Sequence, residues 1–379
     1  MPSITDTGED FLGSLEPGGD VPYLVVSDGR RARWALPTDS PEVLSTSMAV
    51  YSPGTLTGLA AWRGAGLAAG AGLGSLLPGS RRVFHPRLAG TLAEIVGTTE
   101  VFLAVASSSD GRRLVVGIVD AFGQIRGFAK ITLRSDPVAT ASLQREAANL
   151  RHLAARMQAL NVPAVLHLGP VEDYEVLVIT AISGRPGLHP SRMTRRRVDA
   201  AVRIFSVRGS VTTIDEQLDI TADHPVWDRR ILAARDATAA VADLPVPTGL
   251  VHGDFAAWNM LEDRGRVVGV VDWEQAMFSG LPFWDLWHFC VMAAGPGRSN
   301  GALSAIRCAA RGKGELARAV DCYAAACGVP AGFAQDVLLV YLARTGAEGI
   351  EQARAGVEEV QRGVAFKGRL LDELLEVMS

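Results

Sequence analysis

The chain has 379 residues, enough for two or three domains' worth of core. Its 48% hydrophobic and 21% charged content is that of a soluble globular protein, and a net charge of −4 argues against nucleic acid or an anionic membrane as partner. Cys290, Cys308, Cys322 and Cys327 show no CxxC or paired metal spacing and read as small apolar helix residues, in keeping with a reducing cytoplasm.

The first 20 residues are polar, acidic and glycine-rich, and do not read as a signal peptide. Tyr23 to Trp34 reads as a β-hairpin turning at Asp28-Gly29. Leu56 to Pro78 is apolar but built of Ala, Gly and Leu, with Arg63 inside it; a bilayer-crossing helix wants longer, bulkier apolar residues. It is expected to pack within its own domain, so no transmembrane segment is predicted. Residues 1–98 carry no catalytic motif and form an extension, with a cap as one possible role.

From residue 99 the pattern changes. Val101 to Ala106, Leu114 to Val119 and Phe128 to Leu133 are apolar runs separated by turn residues, a three-strand meander. The Ser107-Ser108-Ser109-Asp110-Gly111 link is a candidate phosphate-covering loop, because small residues let backbone N–H groups approach a polyphosphate. It lacks a GxGxxG pattern, and an ordinary hairpin turn fits the same residues. Pro137 to Leu160 reads as a long helix with Leu143, Ala147, Leu150, Leu153 and Met157 on its apolar face. Glu146 falls on or beside that face, where a carboxylate wants a partner. Lys130, on the preceding strand, is the natural one. Only three of the 37 basic residues are lysines, so a lysine at this position carries more weight than usual.

Val165 to Gly169 and Val176 to Ile179 read as two further strands, and Thr180 to Gly184 as a hinge. Beyond Pro190 the chain is mostly helical. Arg192, Arg195, Arg196 and Arg197 make a basic helix start, expected to be a solvated face.

Leu250-Val-His252-Gly-Asp254-Phe-Ala-Ala-Trp-Asn259 follows, then Val267 to Val271 as a short buried strand ending at Asp272-Trp-Glu274, then Gly280-Leu-Pro-Phe-Trp-Asp285. Gly253 permits a sharp turn just before Asp254, which puts Asp254 and Asn259 on one loop. A carboxylate, an amide five positions on and a second carboxylate at a strand end are the parts phosphoryl transfer needs. One carboxylate accepts the proton of an attacking hydroxyl. The amide oxygen and the other carboxylate suit Mg²⁺ on nucleotide phosphates.

This stretch resembles the aminoglycoside phosphotransferase and choline kinase family, relatives of the protein kinases. The resemblance is strong over about residues 250–290 and weaker back to about 100. It implies an α+β, bilobal, protein-kinase-like fold, with an extra N-terminal segment over 1–98, a β-rich nucleotide-binding lobe over 99–182 and a helical lobe over 183–379. It implies Asp254 as catalytic base, Asn259 and Asp272 as ligands of Mg²⁺ or Mn²⁺, and His252 and Asp285 as braces of the catalytic loop. Glu274 follows the metal aspartate in many family members. Lys130, positioned by Glu146, is implied to meet the nucleotide phosphates. The implied reaction moves the γ-phosphoryl group of ATP or GTP to a hydroxyl of a small molecule, of aminoglycoside, amino alcohol or sugar type. The competing reading is a pseudokinase or nucleotide-binding module; against it, Lys130, Glu146, Asp254, Asn259 and Asp272 are all present.

Overall fold

A computed structural model describes residues 16–27, 32–50, 56–85, 88–107, 112–186, 193–295, 300–354 and 358–378. The chain divides into two compact units, one of residues 1–154 with 162–182, the other of 155–161 with 183–379.

The first unit is built on one eight-stranded sheet of order β3-β1-β2-β4-β5-β6-β8-β7. Its strands are β1 (Glu16–Ser27), β2 (Ala32–Pro37), β3 (Ser80–His85), β4 (Val101–Ser107), β5 (Leu114–Asp120), β6 (Ile125–Leu133), β7 (Val165–Val171) and β8 (Tyr174–Thr180). The meander β4-β5-β6 is antiparallel, with Val105 opposite Val116 and Val115 opposite Lys130. Strand β2 pairs with β4, Trp34 opposite Ala106, and extends the same sheet. The hairpin turn at Asp28-Gly29 lies outside the described residues.

Among the described residues, four α-helices belong to this unit. They are α1 (Pro41–Val50), α2 (Leu56–Ala68), α3 (Ala89–Val96) and α4 (Pro137–Ala154). Core residues Leu103, Val116, Ile118, Ile131, Val176 and Val178 form one apolar cluster on the sheet, closed in part by Leu92 and Ala93 of α3. Asp136 starts α4 by accepting the Val138 and Ala139 backbone N–H groups at 3.1 and 3.0 Å, ahead of a proline whose missing N–H is no loss at a helix start. The helix ends at Ala154 and not at Leu160. Residues 155–160 could continue it on propensity alone. Instead Asn161 exchanges backbone bonds with Val268 and Val270, at 3.0 and 3.3 Å, and draws the chain away.

The second unit holds two three-stranded sheets and eight helices among the described residues. One sheet runs β10 (Arg208–Thr212), β11 (Val246–Val251), β14 (Met277–Gly280); the other runs β13 (Arg266–Val270), β12 (Met260–Asp263), β9 (Arg185–Pro186). The helices are α5 (Arg195–Phe205), α6 (Ile214–Leu218), α7 (Pro225–Thr238), α8 (Trp284–Ala294), α9 (Asn300–Ala309), α10 (Gly314–Cys327), α11 (Phe333–Arg354) and α12 (Glu358–Met378). Tyr341, Leu338, Leu339 and Leu342 of α11 are buried, which makes that helix the spine of the unit.

The basic start of α5 is not uniformly solvated. Arg195 and Arg196 are exposed, but Arg197 is buried, faces Glu262 at 3.5 Å and lies over the Phe289 ring. Its long stem packs while its charge is paired; Arg192 lies outside the described residues. No described helix is long and apolar enough to cross a membrane. The chain as a whole is of α+β class, with a sheet-rich first unit and a helical second.

Candidate active site

The second unit assembles its polar residues around the turn that follows β11. Val251 ends that strand, and Gly253 takes φ +81°. A Cβ there would come within 2.2 Å of the Gln275 carbonyl oxygen, so only glycine lets the two chain segments approach this closely. The turn's two leading backbone N–H groups would be stranded in the interior. Asp285, in the first turn of α8, accepts both: His252 N–H to Oδ2 at 2.8 Å and Gly253 N–H to Oδ1 at 3.0 Å. Burial pushes the Asp285 carboxyl above the usual carboxylate range. The neighbouring His252 and these two N–H bonds pull it back only in part.

His252 is fully buried. Its Nε2 donates to the Val271 carbonyl at 2.9 Å, since a carbonyl can only accept, and its ring lies 4.5 Å from that of Trp273. Trp273 in turn donates from Nε1 to the Val270 carbonyl at 2.8 Å. His252 therefore ties the turn to the end of β13, immediately before Asp272.

Asp254 and Asn259 are brought into direct contact. Asn259 Nδ2 donates to the Asp254 backbone carbonyl and to its Oδ2, each at 2.9 Å. With both amide hydrogens committed, Oδ1 is the ligand atom Asn259 has to offer. The Asn259 carbonyl accepts from Val271 N–H at 2.9 Å, which sets Asn259 beside the chain that leads into Asp272. Asp272 has φ +68° and ψ +61°, a left-handed conformation that aspartate tolerates better than most residues. A carboxylate oxygen of Glu274 lies within 4.8 Å of one from Asp272. An amide oxygen and closely placed carboxylates are hard oxygen donors, which fits Mg²⁺ or Mn²⁺.

In the first unit, Lys130 Nζ lies 2.6 Å from Glu146 Oε2. The Glu146 side chain is 1% exposed and that of Lys130 11%, so the pair is largely shielded from water. Strand β6 supplies the lysine and the inward face of α4 the glutamate. Ser107 closes β4 opposite Leu114; Ser108 and Ser109 lie outside the described residues.

The sequence reading missed two residues at Asp254. His288 Nε2 lies 2.9 Å from Asp254 Oδ1, and His288 Nδ1 lies 3.2 Å from the Tyr341 hydroxyl. One signal existed: His288 is three positions after Asp285, hence on the same helix face. Tyr341 is too distant in sequence to have been found. Beside these groups a cavity of about 340 Å³ is lined by Gln217, Met277, Ser279, Leu281, Trp284 and Arg344, among others. The Trp284 ring lies 5.1 Å from that of Tyr341. Two acidic residues nearby, Asp215 and Glu216, are used structurally. Asp215 pairs with Arg235 at 2.7 Å, and Glu216 closes a capping box with Thr213 at the start of α6.

Residues 109–321, more than half of the chain, match the phosphotransferase enzyme family. Among curated proteins, the hygromycin-B 4-O-kinase of Escherichia coli is 31% identical over 101 residues, which is 22% of this chain and 30% of that relative. The match thus spans about a third of the relative's length. Among solved structures, the choline kinase LicA of Streptococcus pneumoniae superposes with a TM-score of 0.51 at 14% identity, over 76% of this chain and 99% of the other. A thermostable mutant of aminoglycoside phosphotransferase APH(4)-Ia, in ternary complex with AMP-PNP and hygromycin B, gives a TM-score of 0.48 at 17% identity, over 76% of this chain and 98% of that one. At these identities the likeness to choline kinase establishes a shared, protein-kinase-like fold.

Proposed function

The chain belongs to the phosphotransferase enzyme family, and on that premise we propose that it moves the γ-phosphoryl group of ATP or GTP to a hydroxyl of a small molecule. The observation that carries this reading is the build of the turn at Asp254. Its backbone is gripped by Asp285, and its side chain is oriented by Asn259. The Asp254 side chain nonetheless remains 30% exposed. A carboxylate held so firmly, yet open to an incoming group, suits a general base.

In this proposal Asp254 accepts the proton of the acceptor hydroxyl as its oxygen attacks the γ-phosphorus in line. The bond from that phosphorus to the β,γ-bridging oxygen breaks, and the nucleoside diphosphate leaves. Asn259 and Asp272 hold Mg²⁺ or Mn²⁺, with Glu274 close to Asp272. The metal, when bound, neutralises charge on the nucleotide phosphates. Lys130, held straight by Glu146, meets phosphate oxygens with a compact ammonium. Ser107, Ser108 and Ser109 are the candidates for a loop over the phosphates. His252 and Asp285 fix the loop backbone. The acceptor is of aminoglycoside, amino alcohol or sugar type; the aminoglycoside class is favoured by the sequence match to a hygromycin-B kinase. We place the enzyme in the cytoplasm, where the nucleotide is abundant.

The test is nucleotide consumption with Mg²⁺ against a panel of hygromycin B, choline and free sugars. Acceptor-dependent formation of ADP or GDP, abolished by excess EDTA, is the expected result. Full turnover in EDTA rules out this use of Asn259 and Asp272. Tight nucleotide binding with no acceptor ever consumed points to a nucleotide-binding module in place of an enzyme.

A further inference from the structure

The proposed base is held from two sides. Asn259 donates to Asp254 Oδ2, and His288 stands at Oδ1, 2.9 Å away. A carboxylate offers no hydrogen, so His288 Nε2 carries the proton of that bond. In a neutral imidazole the other nitrogen, Nδ1, is then a bare acceptor. It faces the Tyr341 hydroxyl at 3.2 Å. Burial pushes the Tyr341 phenol far above its ordinary value, so its O–H stays intact and is available to a bare Nδ1. The bond from His288 to Asp254 thus has a fixed direction, and with a neutral ring the second bond runs from Tyr341 to His288.

The elements fix this line firmly. Asp285 and His288 sit one turn apart on α8; the first grips the loop backbone, and the second the carboxylate carried by that loop. The His288 side chain is 12% exposed, so water competes weakly for its bond. Tyr341 is fully buried on α11, with the Trp284 ring edge-on at 5.1 Å. Neither ring is free to turn away.

We propose that His288 is a positioning residue for Asp254, its Nε2–H holding the carboxylate while the Tyr341 hydroxyl at Nδ1 steadies the ring. Rotating the Asp254 carboxylate would break the bonds at Oδ1 and Oδ2 together. With both kept, each oxygen retains a lone pair that can accept from an incoming hydroxyl. A base held within reach of its proton contributes through orientation, which is lost steeply with small displacements. The inference rests on Asp254 being the base. It goes further in giving one imidazole nitrogen its proton and one phenol a task.

Two measurements on the full chain test it. In protein labelled with nitrogen-15 histidine, the His288 resonance is identified by its loss in His288→Gln. It should report a proton on Nε2 in the wild type and in Tyr341→Phe alike, because the bond to Asp254 places it there. A ring protonated at Nδ1 alone, in the wild type, overturns the proposal. The second measurement is turnover of Mg·ATP with hygromycin B as the probe acceptor. His288→Ala should lower kcat by about 10- to 100-fold, the cost of one hydrogen bond to a charged group, with the KM for ATP unchanged. His288→Gln, whose amide places a donor near the Nε2 position, should recover most of that loss. Equal loss in both variants, or an effect on KM alone, contradicts the proposal. If the wild type does not turn over hygromycin B, the acceptor assignment fails and the tautomer measurement alone decides about His288.

Discussion

Replacing Asp285 by alanine tests the grip on the catalytic turn. The side chain is 4% exposed and accepts two backbone N–H groups, from His252 and Gly253. In Asp285→Ala both donors remain buried with no acceptor, at about 1–3 kcal/mol each. Against this stands the relief of a buried charge, so a net loss of about 3 kcal/mol is expected. For a unit of this size that is a fall in Tm of roughly 6 to 12 °C. Asp285→Asn keeps one acceptor oxygen and should lose about half as much. The sign with pH can be worked out. The folded-state pKa of Asp285 is raised by burial, so its contribution is fully present below the unfolded value and falls as pH rises through the folded one. The deficit of Asp285→Asn should therefore be largest in acid and shrink toward neutral pH. Thermal melts followed by circular dichroism across that range measure it. A Tm within about 1 °C of wild type for Asp285→Ala, or a deficit that grows with pH, refutes the reasoning.

Two further outcomes follow from the geometry. Lys130→Ala should lower turnover by about 100-fold or more, and Lys130→Arg should also do badly, because a planar guanidinium does not fit where an ammonium sits 2.6 Å from Glu146; steady-state kinetics of both variants are the check, and near-normal values would remove Lys130 from the phosphates. Asp336, in the first turn of α11, has its carboxyl pushed up to about 6 by burial. Its favourable contribution is present at low pH and lost as pH rises through about 6, so Asp336→Asn should melt higher than wild type at pH values above that, by about 1 kcal/mol after solvent screening, and match it in acid.

Much of this arrangement was legible because it is local. The meander β4-β5-β6 announces itself by apolar runs and turn residues, and Gly253 marks a turn where a side chain cannot fit. Glu146 falls on the inward face of α4 by its spacing from Leu143 and Leu150, which made Lys130 the obvious partner. What could not be read depends on contacts distant in sequence. Nothing near Trp34 says that β2 will pair with β4 and extend the sheet. The stop of α4 at Ala154 is imposed by backbone bonds from Asn161 to β13, against the propensity of the residues between. Arg197 looked like part of a solvated basic face until Glu262 and Phe289 were seen around it. Tyr341 reaches His288 across 53 positions. Such a pairing leaves no periodic trace.

The central claim is that Asp254 serves the hydroxyl and Asp272 the metal, and calorimetry of Mg·ATP binding set beside turnover tests it most directly. Asp254→Asn should bind Mg·ATP with nearly wild-type affinity while turnover falls by about 100-fold or more, because the proton acceptor is gone and the metal ligands remain. Asp272→Asn should weaken Mg·ATP binding itself, because a charged oxygen ligand is lost. If Asp254→Asn abolishes nucleotide binding while Asp272→Asn leaves it intact, the two carboxylates have been given each other's roles. If the wild-type chain binds no Mg·nucleotide at millimolar ligand, the phosphoryl-transfer account is wrong.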